Sequence, residues 1–189
     1  KSEACDFIKD SCKECNRKYE CTGENAAFCN HMKNILVAKY GAAEGCLKES
    51  RIRHSMGVAN FLFAYAKSHD WSKEETEDLY LTGLLHDIGY IDNPKGTDHG
   101  RLGAEILKRN GLNAEICELI SCHGRFIENP SRKQALLWLA DLCVNRDGDY
   151  IGYQKRYESI KERYKNDPER LFQVYRIVEY LQIHFSEYS

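Results

Sequence analysis

The chain has 189 residues, of which 42% are hydrophobic and 30% charged, and its formal net charge is -2. That length can bury a real core and fits one domain with an appendage better than two independent domains, in the compositional range of an ordinary soluble protein. The charge argues against a general nucleic-acid-binding surface, although a local basic cluster can still hold phosphates. No apolar run approaches the roughly 18 residues of a membrane span, and the first residues hold no apolar signal core, so a cytoplasmic protein without membrane contact is expected.

Nine cysteines are many, and five of them fall within the first 29 residues. The stretch "CKECNRKYECTGENAAFCNH" supplies Cys12, Cys15, Cys21 and Cys29, with Cys5 and His31 nearby. A CxxC pair can grip one metal through adjacent thiolates, and two later ligands would close a tetrahedron. The onward spacing to Cys21 and Cys29 is irregular for common zinc modules. A structural zinc, an iron-sulfur cluster, and unligated or disulfide-bonded cysteines therefore all stay open. An odd total without a signal peptide speaks against a secreted disulfide framework. Cys46, Cys117, Cys122 and Cys143 lie in apolar helical patterns and are expected as buried small apolar side chains.

With only three prolines and repeated apolar spacings of three and four, the pattern predicts an all-helical protein. A helix is expected from Ala26 to about Tyr40, ended by Gly41. Ile52, Met56, Ala59, Phe63 and Ala66 mark one face of a long helix ending near His69. Ser72 with Glu75 forms a capping box that starts the next helix, which runs into "GLLHDIGY" at 83 to 90. The segment "IDNPKGTDHG" then reads as a loop at the mouth of a site. Short helices are expected from about His99 to Arg109 and from Ala114 to Cys122, and Ser131 caps "RKQALLWLADLCV". The C-terminal third divides near Asp167 and Pro168, with Leu171, Val174, Val178, Leu181 and Phe185 as a packing stripe. We expect a cysteine-rich extension over 1–45, a core over 46–150, and structural helices over 151–189 packed on that core.

Six polar residues interrupt these apolar faces: His54, His86, Asp87, His99, His123 and Asp141. Asp87 meets the negative end of a helix dipole inside an apolar turn. Asp141 sits within "LLWLADLCV", where an isolated ionised carboxylate costs several kcal/mol, of the order estimated for buried ions. One histidine on a helix is more often a core or surface residue than a ligand, and His31, His69 and His184 are read that way. The six together are explained most economically by imidazoles and carboxylates from separate helices sharing one or two cations. Such mixed ligands suit iron, manganese, zinc, cobalt or nickel without choosing among them.

The order of these residues resembles the HD-domain superfamily of metal-dependent phosphohydrolases, with "RHSMGVA", "LTGLLHDIGY", "DHGRLGAEIL", "ISCHGR" and "LLWLADLC" as matching blocks over roughly 50 to 145. Within that superfamily the chain is most similar to bacterial HD-domain dinucleoside tetraphosphate hydrolases. The resemblance implies an HD-domain helical bundle in which His54, His86, Asp87 and Asp141 hold one metal. His99 and His123 would help hold a second, with Asp87 bridging, and catalysis would depend most directly on Asp87 and His86. The expected reaction is hydrolysis of a phosphoester or phosphoanhydride bond, in a small phosphate compound or nucleotide, by metal-activated water.

Arg125, two residues beyond a proposed ligand, is the leading phosphate clamp, because its fork binds two oxygens. Arg101, Lys95 and Arg53 are further substrate-binding candidates. Many relatives that cleave cyclic dinucleotides or RNA carry lysine directly after "HDIG", where this chain has Tyr90, which disfavours those substrates and extended nucleic acid. Two alternatives share the same ligand types: an HD-fold mixed-valent diiron oxygenase, and a non-catalytic nucleotide-binding sensor. A helical surface such as the C-terminal stripe is compatible with a homodimer, and intramolecular packing explains it equally well.

Overall fold

The computed structural model describes residues 49–189 except positions 92, 94, 95 and 97, with the backbone alone at Glu49 and Ile52. The expected helix over 26–40, the segment carrying Cys12, Cys15, Cys21 and Cys29, Cys46, and Lys95 lie outside the described residues. Within those residues the fold is all-helical, and no β-strand occurs. The helices are α1 (Glu49–Ser68), α2 (Lys73–Leu85), α3 (His99–Arg109), α4 (Ala114–Cys122), α5 (Arg132–Cys143), α6 (Tyr153–Arg163) and α7 (Pro168–His184). Short 3-10 turns cover Ile88–Ile91 and Ser186–Tyr188. One isolated antiparallel bridge joins Val144 to Tyr150.

Local chemistry sets the helix starts. Ser72 accepts from the Glu75 amide while the Glu75 carboxylate accepts from the Ser72 amide, completing the capping box of α2. Asn113 accepts from the Glu115 amide at 2.8 Å, and Ser131 from the Gln134 amide at 3.1 Å, so α4 and α5 begin where short side chains satisfy free N–H groups. Asp167 does the same for Arg170, and Pro168 occupies the first turn of α7, where its missing N–H costs nothing.

Two helices run through the middle. α5 buries every residue from Gln134 to Ala140, and α2 buries most of its length from Leu79 to Leu85. A helix surrounded in this way shows little amphipathic contrast, because several neighbours cover it from different sides. The larger apolar cluster joins α1, α5, α6 and α7 around Trp138, which stacks on Phe126 and meets the edge of Tyr180. The smaller cluster joins the end of α2 to α3 and α4 through Leu81, Leu85, Ile88, Leu107, Ile116 and Ile120.

The expected C-terminal stripe packs inward: Val178 and Leu181 are buried, and Leu171, Val174 and Phe185 lie partly buried against the larger cluster. Cys117 and Cys143 are buried as expected. Cys122 is only half-buried, because it ends α4 beside the exposed turn at Gly124 and Arg125, which corrects that expectation. His69 stacks on Tyr65 at the surface, and His184 packs at a tilt against Tyr180, so neither ring joins the six candidate ligands. No helix among the described residues is long and apolar enough to cross a membrane.

α1 and α2 approach closely because Gly83 has no side chain: a Cβ there would sit 2.7 Å from the Ala59 Cα and 2.8 Å from its nitrogen. Backbone cannot yield as a flexible side chain can. Gly83→Ala is therefore expected to destabilise the fold by about 1–3 kcal/mol, the range for overpacked cores, despite the better helix propensity of alanine. Urea unfolding measures this, and an unchanged midpoint would show that α1 and α2 separate without cost.

Candidate metal centre

α2 ends at Leu85, so His86 caps the helix and Asp87 follows in the turn before the 3-10 segment. That segment lies hard against α3: a Cβ on Gly89 would collide with the His99 carbonyl oxygen, so glycine permits the close approach. The contact carries His99, the first residue of α3, over Asp87. His123 caps the far end of α4, His54 projects from the second turn of α1, and Asp141 interrupts the buried run of α5. All six candidate ligands expected from the sequence therefore converge between the two apolar clusters.

The ring nitrogens divide into two sets. Each Nδ1 donates to a backbone carbonyl: His54 to Asn145 at 3.0 Å, His86 to Gly83 at 2.7 Å, His99 to Gly96 at 2.9 Å, and His123 to Ile120 at 2.7 Å. A carbonyl can only accept, so all four rings have the same tautomeric preference and turn Nε2 towards the centre. There the Nε2 atoms of His99 and His123 lie 2.8 Å apart and face Asp87 Oδ1 at 3.3 and 3.6 Å. His54 Nε2 is 2.9 Å from Asp141 Oδ1. His86 Nε2 is buried without a hydrogen-bond partner, 3.5 Å from Asp87 Oδ2 and 3.9 Å from Asp141 Oδ1.

Protons alone satisfy this arrangement poorly. Extra protons on the Nε2 atoms would gather several imidazolium charges in a buried space, and their absence would leave lone pairs facing one another. Cations resolve both problems, and imidazole with carboxylate is the donor set that first-row transition metals prefer. The candidate ligand atoms lie within 4.8 Å of one another in three overlapping groups: His54, His86 and Asp87; His86, His123 and Asp141; and Asp87, His99 and His123. The hydrogen bonds from Nδ1 to carbonyl oxygens are the outer support that orients histidine ligands in metal sites.

Electrostatics polarise the same residues. Burial opposes ionisation of Asp87, but His86, the hydrogen bonds of His123 and His99, and Arg51 outweigh it and hold the carboxyl well below its usual range. Burial likewise opposes ionisation of Asp141, and the hydrogen bond from His54 with the nearby imidazoles overcomes it. At His86 burial dominates and pulls the imidazole down to about 4, which keeps its Nε2 lone pair free at neutral pH. His123 is shifted upward: burial acts against the charged ring, and the hydrogen bond and charge of Asp87 prevail.

The basic candidates separate. Arg51 donates to Asp87 Oδ2 at 2.7 Å while its guanidinium stacks 3.6 Å from the Tyr90 ring centroid. Tyr90 in turn stacks on His99, so the residue after "HDIG" forms one wall of the centre. Arg101 is exposed and bound to Asp98 and Glu105, and Arg53 reaches Asp147 at 3.3 Å. Arg125 is exposed in the turn after α4. Arg53 is thus paired outside the six, Arg101 is held by its own helix, and Lys95 lies outside the described residues. Sequence reading missed Arg156 altogether: it occupies α6, whose "YQKRYESIKER" looks like a solvated helix, yet only 7% of it is exposed.

Comparison with known proteins places this geometry. Residues 51–174 match the HD domain family. Over 92 residues, 44% of this chain, the sequence is 35% identical to ribonuclease Y of Fervidobacterium nodosum, covering 18% of that protein. An uncharacterized protein of Methanocaldococcus jannaschii is 31% identical over 77 residues, which are 40% of this chain and 45% of the other. The chain thus spans less than half the length of either relative, and no solved structure matches it. With all six converging side chains inside the matched segment, which covers well over half of its length, the chain belongs to the HD domain family.

Proposed function

We propose that the protein is a metal-dependent phosphohydrolase acting on a phosphoester or phosphoanhydride bond of a nucleotide. The observation that carries this reading is the set of four histidines whose Nδ1 atoms are committed to carbonyls, leaving four Nε2 atoms and two carboxylates directed at one buried space. His54, His86, Asp87 and Asp141 would hold one divalent ion, and His99 and His123 would hold a second, with Asp87 shared. Bound there, such ions acidify water and offset charge on phosphoryl oxygens.

The protein's own residues supply the rest. Asp87 stays ionised despite burial and is the carboxylate both ion positions need. His86 stays neutral and keeps its lone pair available. Arg51 fixes Asp87 through Nη1, and its guanidinium has the fork geometry suited to a phosphate oxygen beside that carboxylate. Tyr90, stacked between Arg51 and His99, narrows the centre and holds both partners in place. The resemblance to dinucleoside tetraphosphate hydrolases favours a nucleotide, and the likeness to a segment of ribonuclease Y makes RNA the second substrate to test.

The reading is tested by elemental analysis and by a panel of nucleotides, a cyclic dinucleotide and an RNA oligonucleotide, assayed with manganese, iron, cobalt and magnesium. We expect phosphate release from a nucleotide with at least one transition metal. No release from any member would overturn the reading, and oxygen consumption with a diiron form would favour an oxygenase. Asp87→Ala is expected to lose bound metal and turnover together, because it removes the shared ligand; full metal retention would refute the assignment.

Metal binding is also expected to stabilise the fold, since it relieves buried polar groups that the metal-free protein leaves in conflict. At a hundredfold excess over the dissociation constant the gain is about 2.7 kcal/mol. For a domain of this size that corresponds to roughly 5 °C or more in melting temperature. Differential scanning calorimetry with and without a chelator reads it, and an identical melting point in both conditions would count against a metal site.

A further inference from the structure

Two side chains of α7 reach the chain segments that carry His99 and His123. Arg170 Nη2 donates to the Gly96 carbonyl at 3.2 Å. That oxygen has two lone pairs and also accepts the Nδ1 proton of His99 at 2.9 Å. Gly96 has little room to shift: it is buried, and a Cβ on it would sit 2.6 Å from the Tyr90 ring, which stacks on His99. Gln173 Oε1 accepts from the Phe126 amide at 2.9 Å. Phe126 stands three residues after His123, stacks on Trp138, and has the Arg176 guanidinium 4.4 Å from its ring centroid.

Helix residues three apart share a face, so one side of α7 braces both of the imidazoles whose Nε2 atoms meet at 2.8 Å. The other two imidazoles are held differently. His86 is anchored to Gly83 in its own helix, and His54 to Asn145, whose turn is closed by hydrogen bonds with Asp149. Groups that orient a histidine ligand matter nearly as much as the ligand, and losing one costs about 10–100-fold in metal affinity. The two halves of the centre therefore have separate supports, and the half completed by His99 and His123 leans on the C-terminal helix.

We propose that Arg170 and Gln173 are positioning residues for the second ion, acting through Gly96 on His99 and through Phe126 on His123. This rests on the metal-dependent hydrolase reading and deepens it, because one of the two ions becomes separately removable while His54, His86, Asp87 and Asp141 keep the other. The Arg170 side chain is 23% exposed and Gln173 is half-buried, so neither fills the apolar core.

The test is titration of the metal-free full chain with manganese(II), which favours carboxylate oxygen over the thiolates of the first 29 residues, followed by calorimetry and electron paramagnetic resonance. Two ions sharing Asp87 are magnetically coupled, so the resonance separates a filled pair from a single ion. Wild type is expected to bind two ions, the second producing the coupled signal. In R170Q and in Q173L the second dissociation constant is expected to rise about 10–100-fold, with the first unchanged. R170K, which keeps a donor, and Q173E, which keeps an acceptor oxygen, are expected to lose less. The two positions make separate contacts, so either remains informative where a variant at the other fails to fold. A role in packing alone would weaken both ions together, and that result would overturn the proposal, as would a wild type that binds a single ion. Unchanged affinities for both ions in R170Q and Q173L would remove the positioning role and leave the hydrolase reading standing. Failure of wild type to bind manganese at all would remove both.

Discussion

The burial of Asp87 is the constraint from which the rest of the centre follows. Its side chain is 4% exposed at the carbonyl end of a helix, where both desolvation and the helix dipole disfavour a negative charge. The protein answers with Arg51, His99 and His123 around the two oxygens, and with His86 next in sequence. Each answer draws in a different helix. α1 supplies Arg51, α3 supplies His99, and the end of α4 supplies His123, so two helices that pack the smaller apolar cluster and one from the larger cluster surround the carboxylate.

Much of this was legible in the chain because it depends on local rules. The capping box at Ser72, the cap at Ser131, the break at Asp167 and Pro168, and the stop after Arg109 are short-range chemistry and stand where the residues indicated. The six candidate ligands were legible for a related reason: a charged or imidazole side chain inside an apolar period is conspicuous. Their convergence adds what periodicity cannot carry, since His54 and Asp141 are 87 positions apart.

The cationic residues show the opposite case. Arg125 and Arg101 sit close in sequence to ligands, but a helix end points one side chain into solvent, and the other is drawn to Asp98 and Glu105. Arg156 sits in a helix that reads as solvated on every side, and its burial results from the Gly152 turn and the packing of α6 on α5. Sequence proximity to a site and spatial proximity differ most for long, flexible, charged side chains, whose placement is decided by tertiary packing. Apolar and ligand positions are less free, because their backbone register already fixes the face they occupy.

The carbonyl of Gly96 has two donors. His99 Nδ1 reaches it at 2.9 Å and Arg170 Nη2 at 3.2 Å, the latter from a helix 74 positions away. Arg170 is itself seated on Tyr164, between α6 and α7. The orientation of one imidazole is thereby mechanically linked to the docking of the C-terminal helix: a displacement of α7 would tug on the same oxygen that sets the tilt of His99.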